Sequence, residues 1–235
     1  MDPVLRTGSR GAAVRELQRL LNAHLRPNPH LRVDGEFGGH TRSAVRRYQR
    51  SKWLVVDGVA GRCTWAALRG TERYVHLHQI RLVPQWTDST CWSAATAMLV
   101  GEQACMSSGD ADVSARGGLF NDSELAAPEN MRRFARFHGL TLLPGRSWTP
   151  DGLAELLARR PLMINTLWDV DSYVRGRGSS GHMRVLAGIR GDGTAEGCTL
   201  RIYDPWPPNR GAVYSRIYGP FMRRVPAATY QILYR

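Results

Sequence analysis

The chain has 235 residues, 43% of them hydrophobic, and a formal net charge of +12. This length and composition suit one large or two modest domains with real cores, and no apolar run is long enough for a membrane-spanning helix. The charge is uneven, because residues 1–79 hold 14 Lys and Arg against 6 Asp and Glu. That excess predicts an anionic polymer as partner, and no nucleic-acid motif accompanies it, so we expect no nucleic acid.

The first part of the chain contains an internal repeat. Asp34-Gly35 recurs as Asp57-Gly58, and each pair is followed by a glycine and then by a threonine that can begin a helix. Asp-Gly favours a turn, and apolar residues at helical spacing predict three helices, at 12–24, 41–51 and 64–69. These three helices predict an all-α domain for the first part of the chain.

The repeat resembles the common peptidoglycan-binding domain over residues 5–69. The matching pieces are the Leu17-Gln18 pair in the first helix, both Asp-Gly turns and the Thr64-Trp65 pair. The resemblance implies binding to the bacterial cell wall without catalysis. We place the ligand near Asp34, Gly35 and Phe37, with the alternative that the Asp-Gly pairs only form turns.

Residues 73–79 link this domain to the rest of the chain. His76 and His78 alternate there, but no second group of ligands stands nearby in the sequence. A strand entering the next domain is therefore predicted, and no metal.

A cysteine stands at the start of an apolar run over residues 93–100, which predicts a buried helix. Asp88, Ser89 or Thr90 can cap it, and a thiol in the first turn has its thiolate favoured by the helix dipole. We predict Cys91 as a nucleophile and the amide of Gln85 as an oxyanion donor. The alternative is a buried structural cysteine.

Two later strands supply a base and an acid. His182 opens an apolar run that is followed by a Gly-Asp-Gly turn, and Asp204 closes the next run. Neighbouring strands of a hairpin can bring these two side chains together, so that the acid orients the imidazole and the imidazole activates the thiol. His138 is the competing base.

These residues resemble a papain-like cysteine peptidase of the bacterial effector and C39-like type, over residues 80–235. The resemblance rests on Gln85 six residues before Cys91, on the Cys91-Trp92 pair, on Gly181-His182 and on Asp204-Pro205. It implies a cysteine nucleophile, a histidine base, an orienting acid and a glutamine in the oxyanion hole, with no cofactor. Because larger papains use Asn as the third member, the resemblance leaves Asn209 as the alternative to Asp204.

The other elements predict an α+β layout, with helices first and an antiparallel sheet later. Helices are expected at 128–138 and 151–160 and a strand at 162–168, and the glycine-rich loop at 175–181 is expected to act as a lid or substrate edge. Three tryptophans beside the catalytic pieces are candidates for binding substrate: Trp86, Trp92 and Trp206. The remaining cysteines, Cys63, Cys105 and Cys198, are expected to be reduced and buried.

We therefore predict a wall-binding domain (1–72), a linker (73–79) and a papain-like peptidase domain (80–235). The favoured function is a secreted effector or toxin that cuts a protein, exported by a non-classical route because the N-terminus lacks a signal-peptide pattern. That function implies a small immunity protein in the producer. The alternatives are a wall lysin that uses the same triad and a non-catalytic wall-binding protein.

Overall fold

The computed structural model describes residues 2–101, 128–169, 171–172, 175–177, 181–222 and 230–235. Cys105 and residues 178–180 of the predicted loop lie outside these ranges. In chain order the elements are α1 (Ala12–His24), α2 (Gly39–Ser51), α3 (Arg62–Arg69), β1 (Tyr74–Leu77), α4 (Cys91–Val100), α5 (Pro128–Phe137), β2 (Thr141–Leu143), α6 (Pro150–Leu157), β3 (Leu162–Leu167), β4 (Gly181–Gly191), β5 (Cys198–Asp204), β6 (Ala212–Ile217), α7 (Tyr218–Met222) and β7 (Ile232–Tyr234).

The fold class predicted from the sequence is confirmed. Three helices come first, and an antiparallel sheet is completed late in the chain, in a mixed α and β protein. The strand order is β2-β7-β3-β4-β5-β6, and β1 pairs with β4. No helix within the described ranges is long and apolar enough to cross a membrane.

The chain forms two compact units. Unit 1 comprises Met1–Val75, Ile189–Leu200 and Ser215–Phe221, and unit 2 comprises His76–Gly188, Arg201–Tyr214 and Met222–Arg235. The domain limits predicted above (1–72, 73–79 and 80–235) stay a prediction.

Unit 1 contains two copies of one hydrogen-bonding motif, in which a glutamine side chain binds an Asp-Gly turn. In the first, the amide Nε2 of Gln18 donates to Asp34 Oδ1 at 2.9 Å, and Gln18 Oε1 accepts the N–H of Gly35 at 3.0 Å. In the second, Gln49 donates to Asp57 Oδ1 at 2.8 Å and accepts the N–H of Gly58 at 2.9 Å. Each buried glutamine therefore holds an Asp-Gly turn against a helix.

The glycines of these turns have a backbone reason to be glycine. Gly35 and Gly58 have φ of 82° and 79°, in the left-handed region that side chains with a Cβ rarely adopt. Each glutamine also donates to the threonine that the sequence assigned to the next helix, Gln18 to Thr41 at 3.3 Å and Gln49 to Thr64 at 3.2 Å. The repeat in the sequence is thus a repeat of turn and helix start.

A buried ion pair completes unit 1. Arg190 is 5% exposed and donates from Nε and Nη2 to the two carboxylate oxygens of Glu72, at 2.6 and 2.5 Å. Its Nη1 donates to the carbonyl of Lys52, and its guanidinium lies 5.0 Å from the ring centre of Trp53. With both charges paired and hydrogen-bonded, removing either partner would leave a buried charge uncompensated.

Unit 2 holds α4 in its core. The first eight residues of this helix are all buried, so it is apolar on every side, as expected of a helix enclosed by other elements. It ends at Gly101, whose φ of 76° provides a left-handed C-terminus. In α6, Thr149 is the N-cap and accepts the N–H of Gly152 at 3.1 Å. The start of α4, at Cys91 and Trp92, lies in one buried cluster with Met131, Phe134 and Met163.

Candidate active site

Cys91 is the first residue of α4. Its side chain is buried, and its Sγ accepts a hydrogen bond from the N–H of Met183 at 3.5 Å. Met183 follows His182 on β4, so the sulfur lies against the strand that carries the predicted base. The backbone dipole of α4 favours negative charge at this position.

The loop before α4 is folded by Thr90. This residue is the N-cap of α4, but its side chain makes no capping bond to the helix. Its Oγ1 instead accepts the N–H groups of Trp86 and Thr87, both at 3.1 Å. The hydroxyl of Thr90 is therefore used by the turn that precedes α4 and not by the helix itself.

Gln85 is held from both sides by the segment that follows Asp204. Its N–H donates to the carbonyl of Pro205 at 3.0 Å, and its own carbonyl accepts the N–H of Asn209 at 2.7 Å. The side chain is 1% exposed, and one N–H of Nε2 donates to the carbonyl of Thr87 at 2.6 Å. A primary amide carries two N–H groups, so the second remains available as a donor.

His182 and Asp204 form a buried pair. The Nε2 of His182 lies 2.7 Å from Asp204 Oδ1, and the two side chains are 2% and 7% exposed. Because an ionised carboxylate only accepts, Nε2 carries the proton and Nδ1 is left as the basic nitrogen. This is the tautomer that a general base needs.

Asp204 is hydrogen-bonded at both oxygens. Oδ1 also accepts the N–H of Trp206 at 3.0 Å, while Oδ2 accepts Arg184 Nε and the hydroxyl of Tyr214, both at 2.7 Å. Burial by itself raises the pKa of Asp204, but the hydrogen bond from His182 and the charge of Arg184 outweigh it and hold the pKa well below its usual range. The carboxylate therefore stays ionised.

The same surroundings act on the base. Burial lowers the pKa of His182, the hydrogen bond to Asp204 opposes that change, and the charge of Arg184 adds to it, so the net shift is downward. A neutral imidazole that is unprotonated at Nδ1 is thereby favoured at neutral pH.

An aromatic ring packs against the imidazole. Trp168, just beyond β3, packs edge to face on His182 with ring centres 4.7 Å apart, and on Trp206 with ring centres 4.9 Å apart. Trp86, beside Gln85, is 58% exposed. Trp92 differs, because it is buried in the core with its ring edge-on to Phe134, where it supports α4 rather than lining an open surface.

Sequence reasoning missed three residues of this site: Arg184, Tyr214 and Trp168. One signal was present, since residues two apart on a strand share a face, which puts Arg184 beside His182. Thr166 pairs with His182 across β3 and β4, so Trp168 lies two residues along on that same face. The sequence does not show which strand pairs with β4.

The alternative residues have other surroundings. Asn209 has φ of 61° and uses its backbone N–H to bind Gln85. His138 follows α5 with its ring against Phe134 and Phe137, at 4.8 and 4.9 Å between centres.

The residues suggested for wall binding differ in exposure. Asp34 is at the surface of unit 1, whereas Gly35 and Phe37 are buried, Phe37 in the core. The N–H of Glu36, and then the amide of Gln18, lower the pKa of Asp34. Asp34 is thus the member of the trio with a charged side chain open to a ligand, and the assignment stays a prediction.

The cysteines are reduced where the structure describes them. Within the described ranges, Cys63, Cys91 and Cys198 are buried and form no disulfide. Burial raises the pKa of Cys63 to about 11, which makes its thiol a poor nucleophile at neutral pH.

The chain combines a peptidoglycan-binding domain with a papain-like cysteine protease domain. Residues 75–218 match the model of the family described as papain-like cysteine protease AvrRpt2, and residues 10–68 match that of the peptidoglycan binding domain. The first match spans more than half of the chain, which therefore belongs to the papain-like cysteine protease AvrRpt2 family.

Known relatives match parts of the chain. The zinc D-Ala-D-Ala carboxypeptidase of Streptomyces albus G is 41% identical over 61 residues, which are 26% of this chain and 24% of that protein. The chain thus spans about a quarter of this curated relative. The SleB N-terminal domain is 36% identical with a TM-score of 0.28, over 30% of this chain and 93% of that one. The Burkholderia AP3 phage endolysin is 24% identical with a TM-score of 0.28, over 69% and 45%.

Proposed function

We propose that this cysteine peptidase hydrolyses peptide bonds of a protein through a Cys91–His182–Asp204 triad, as a bacterial effector whose wall-binding domain assists its passage through peptidoglycan. The observation that carries the proposal is the 2.7 Å contact between His182 Nε2 and Asp204 Oδ1. The next residue on the strand of His182 is Met183, whose N–H binds the sulfur of Cys91. These two contacts support the proposal that a base, an orienting acid and a nucleophile act together in covalent catalysis.

The chemistry proceeds in two halves. Nδ1 of His182 takes the thiol proton as Sγ attacks the carbonyl carbon, and the oxyanion is held by the second N–H of Gln85 and the backbone N–H of Cys91. The C–N bond breaks as His182 returns the proton to the leaving amine. Water then attacks the thioester, gives its proton to His182, and releases the acid and the thiol.

The effector role and the protein substrate are supported by the type of peptidase to which the catalytic residues correspond. The wall-binding domain and a carboxypeptidase relative named for D-Ala-D-Ala favour a second candidate, cleavage of the peptides of peptidoglycan itself. Both candidates use the same triad, so they differ only in substrate.

Thiol reactivity tests the triad before any substrate is known. We expect iodoacetamide to alkylate Cys91 at about pH 6, while Cys63, whose thiol has a raised pKa, reacts far more slowly. His182→Ala should abolish the difference. Equal labelling of both cysteines in the unmodified protein would contradict the proposed triad.

Two substrates then separate the candidates. Loss of intact proteins from a cell extract, absent with Cys91→Ala, supports a protein substrate. Soluble muropeptides released from purified sacculi, again absent with Cys91→Ala, support the wall substrate. If neither product forms although Cys91 is labelled as described above, peptide hydrolysis has no substrate among those tested, and both candidates are contradicted.

A further inference from the structure

A cavity of about 170 Å³ lies beside the second Asp-Gly turn, that of Asp57 and Gly58, and all of its lining residues belong to unit 1. This volume is about ten times the space that a single water molecule needs, so the cavity has room for part of a ligand. The turn and the start of α3 line it, together with Glu196 and Ile217 from the two later segments of unit 1.

These later segments are bonded to the part of unit 1 that holds the turn. The thiol of Cys63 donates to the carbonyl of Glu196 at 3.4 Å, and Nε of Arg62 donates to Asp192. Ile217 packs against the hydrophobic core of unit 1. The match to the peptidoglycan binding domain ends at residue 68, so Glu196 and Ile217 add lining that the matched domain does not itself supply.

The lining combines apolar surface with charges of both signs. Asp57 and Glu196 carry carboxylates, Arg62 carries a guanidinium, and all three residues are exposed. The apolar members are Leu54, Val55, Val59 and Ile217. A few placed charges in an otherwise apolar lining are typical of sites that orient a small ligand, and charges of both signs suit a zwitterionic group on an apolar stem.

Two of these charged groups can bind further partners. Oδ1 of Asp57 accepts the amide of Gln49 and the N–H of Val59, at 2.8 and 2.9 Å, while Oδ2 accepts nothing from the described residues. Arg62 gives only Nε to Asp192, so the N–H groups on Nη1 and Nη2 can donate to a carboxylate. An ammonium beside Asp57 and a carboxylate beside Arg62 would both be paired.

We infer that this cavity binds the side-chain end of a meso-diaminopimelate residue in the stem peptides of peptidoglycan. That end carries an ammonium and a carboxylate on one carbon, at the end of a short methylene chain. The ammonium pairs with Asp57 and Glu196, the carboxylate pairs with Arg62, and the methylene groups contact the apolar lining. Lysine in the same position of a stem peptide has the ammonium but lacks this carboxylate. The inference rests on the wall-binding part of the proposed function and not on the triad.

Two matched tripeptides test the site. They are L-alanyl-γ-D-glutamyl-meso-diaminopimelate and the same peptide with L-lysine, which differ only in that carboxylate. The full chain carries Cys91→Ala so that no peptide is cut, and calorimetry measures the two affinities. We expect the diaminopimelate peptide to bind about tenfold more tightly. Arg62→Met should lower its affinity to that of the lysine peptide and leave the lysine peptide unaffected.

The carboxylates of the cavity are tested with a control at the first turn. Asp57→Asn keeps Oδ1 as an acceptor for the turn but removes the charge, so it should weaken both tripeptides about tenfold, and Glu196→Gln should act in the same direction. Asp34→Asn makes the same change at the first Asp-Gly turn, and Arg19→Met removes an exposed arginine from α1. Both controls should leave both affinities unchanged. A Tm equal to that of the parent shows that each variant is folded.

The outcomes separate the cavity from the wall-binding role on which it rests. If purified sacculi that contain diaminopimelate do not retain the chain, the wall-binding role and the cavity site are both overturned. If sacculi retain it, but the tripeptides bind equally or not at all, or Arg62→Met leaves the preference unchanged, the cavity site alone is overturned. Loss of binding in Asp34→Asn but not in Asp57→Asn would assign the ligand to the first turn instead.

Discussion

Arg184 Nε donates to Oδ2 of Asp204 at 2.7 Å, while the other oxygen of that carboxylate, Oδ1, accepts His182. Arg184 also donates to the hydroxyl of Thr166, which in turn donates to the carbonyl of His182 at 3.0 Å. A closed ring of hydrogen bonds thus fixes the imidazole and the carboxylate together. The charge of Arg184 acts on both of them.

Changing Arg184 to Met should loosen this pair and raise the pKa of His182, because a positive charge that disfavours the imidazolium is removed. NMR titration of the His182 ring in a Cys91→Ala background measures that pKa without interference from the thiol. In the active protein we expect kcat/KM to fall about 10- to 100-fold. Arg132→Gln, at an exposed position of α5, is the control, and an unchanged titration of His182 would contradict the role of Arg184.

Changing Asp204 to Asn should lower kcat by about 100- to 10,000-fold, since an amide cannot hold the imidazole in the same tautomer with a negative charge beside it. Asn209→Ala should cost less than about threefold, because Asn209 binds Gln85 through its backbone. Steady-state kinetics on one peptide substrate compares the two. The reverse order of effects would make Asn209 the third member.

Changing Gln85 to Ala should lower kcat by about 100- to 1,000-fold through loss of an oxyanion donor. Alkylation of Cys91 by iodoacetamide forms no oxyanion, so its rate should hardly change. Gln79→Ala, at an exposed position, controls for the removal of a carboxamide. Equal losses in alkylation and hydrolysis would mean that Gln85 supports the fold of the site instead.

The lowered pKa of His182 predicts acid sensitivity of the fold. A folded state that binds the proton less tightly than the unfolded chain loses stability as the pH falls below the unfolded pKa of about 6.5. The free energy of unfolding, from urea titrations at about pH 7.5 and pH 5, should fall less in His182→Gln than in the unmodified protein. His40→Gln, on exposed surface, should keep the full decrease, and an identical decrease in His182→Gln would count against the shift.

The two hydrogen-bonding motifs of unit 1, those of Gln18 and Gln49, should contribute equally to its stability. Gln18→Leu and Gln49→Leu each leave an aspartate and a glycine N–H without the buried amide, which should cost about 2 kcal/mol or more. Thermal unfolding detects such a loss as a lower Tm, and Gln79→Leu should leave it unchanged. A normal Tm in either glutamine variant would show that the turn holds without its amide.

Local signals in the chain accounted for a good part of this protein. Helical spacing located α1 with the bounds that the structure has, and α2 and α3 within two residues at one end. Alternation and turn residues located β4 and β5, whose hairpin brings His182 to Asp204. The peptidase and wall-binding families were identified from such short-range patterns, and both are confirmed.

Other features depended on which strands become neighbours. Thr166 and Trp168 reach His182 because β3 pairs with β4 in one register, and Tyr214 reaches Asp204 from β6. Thr90 was expected as a candidate helix cap, yet its hydroxyl binds the preceding loop. Propensity and periodicity act between residues close in the chain, so they specify helices, turns and the order Gln85, Cys91, His182, Asp204. Register and side-chain partners are decided by packing between distant segments, and only the folded chain supplies those.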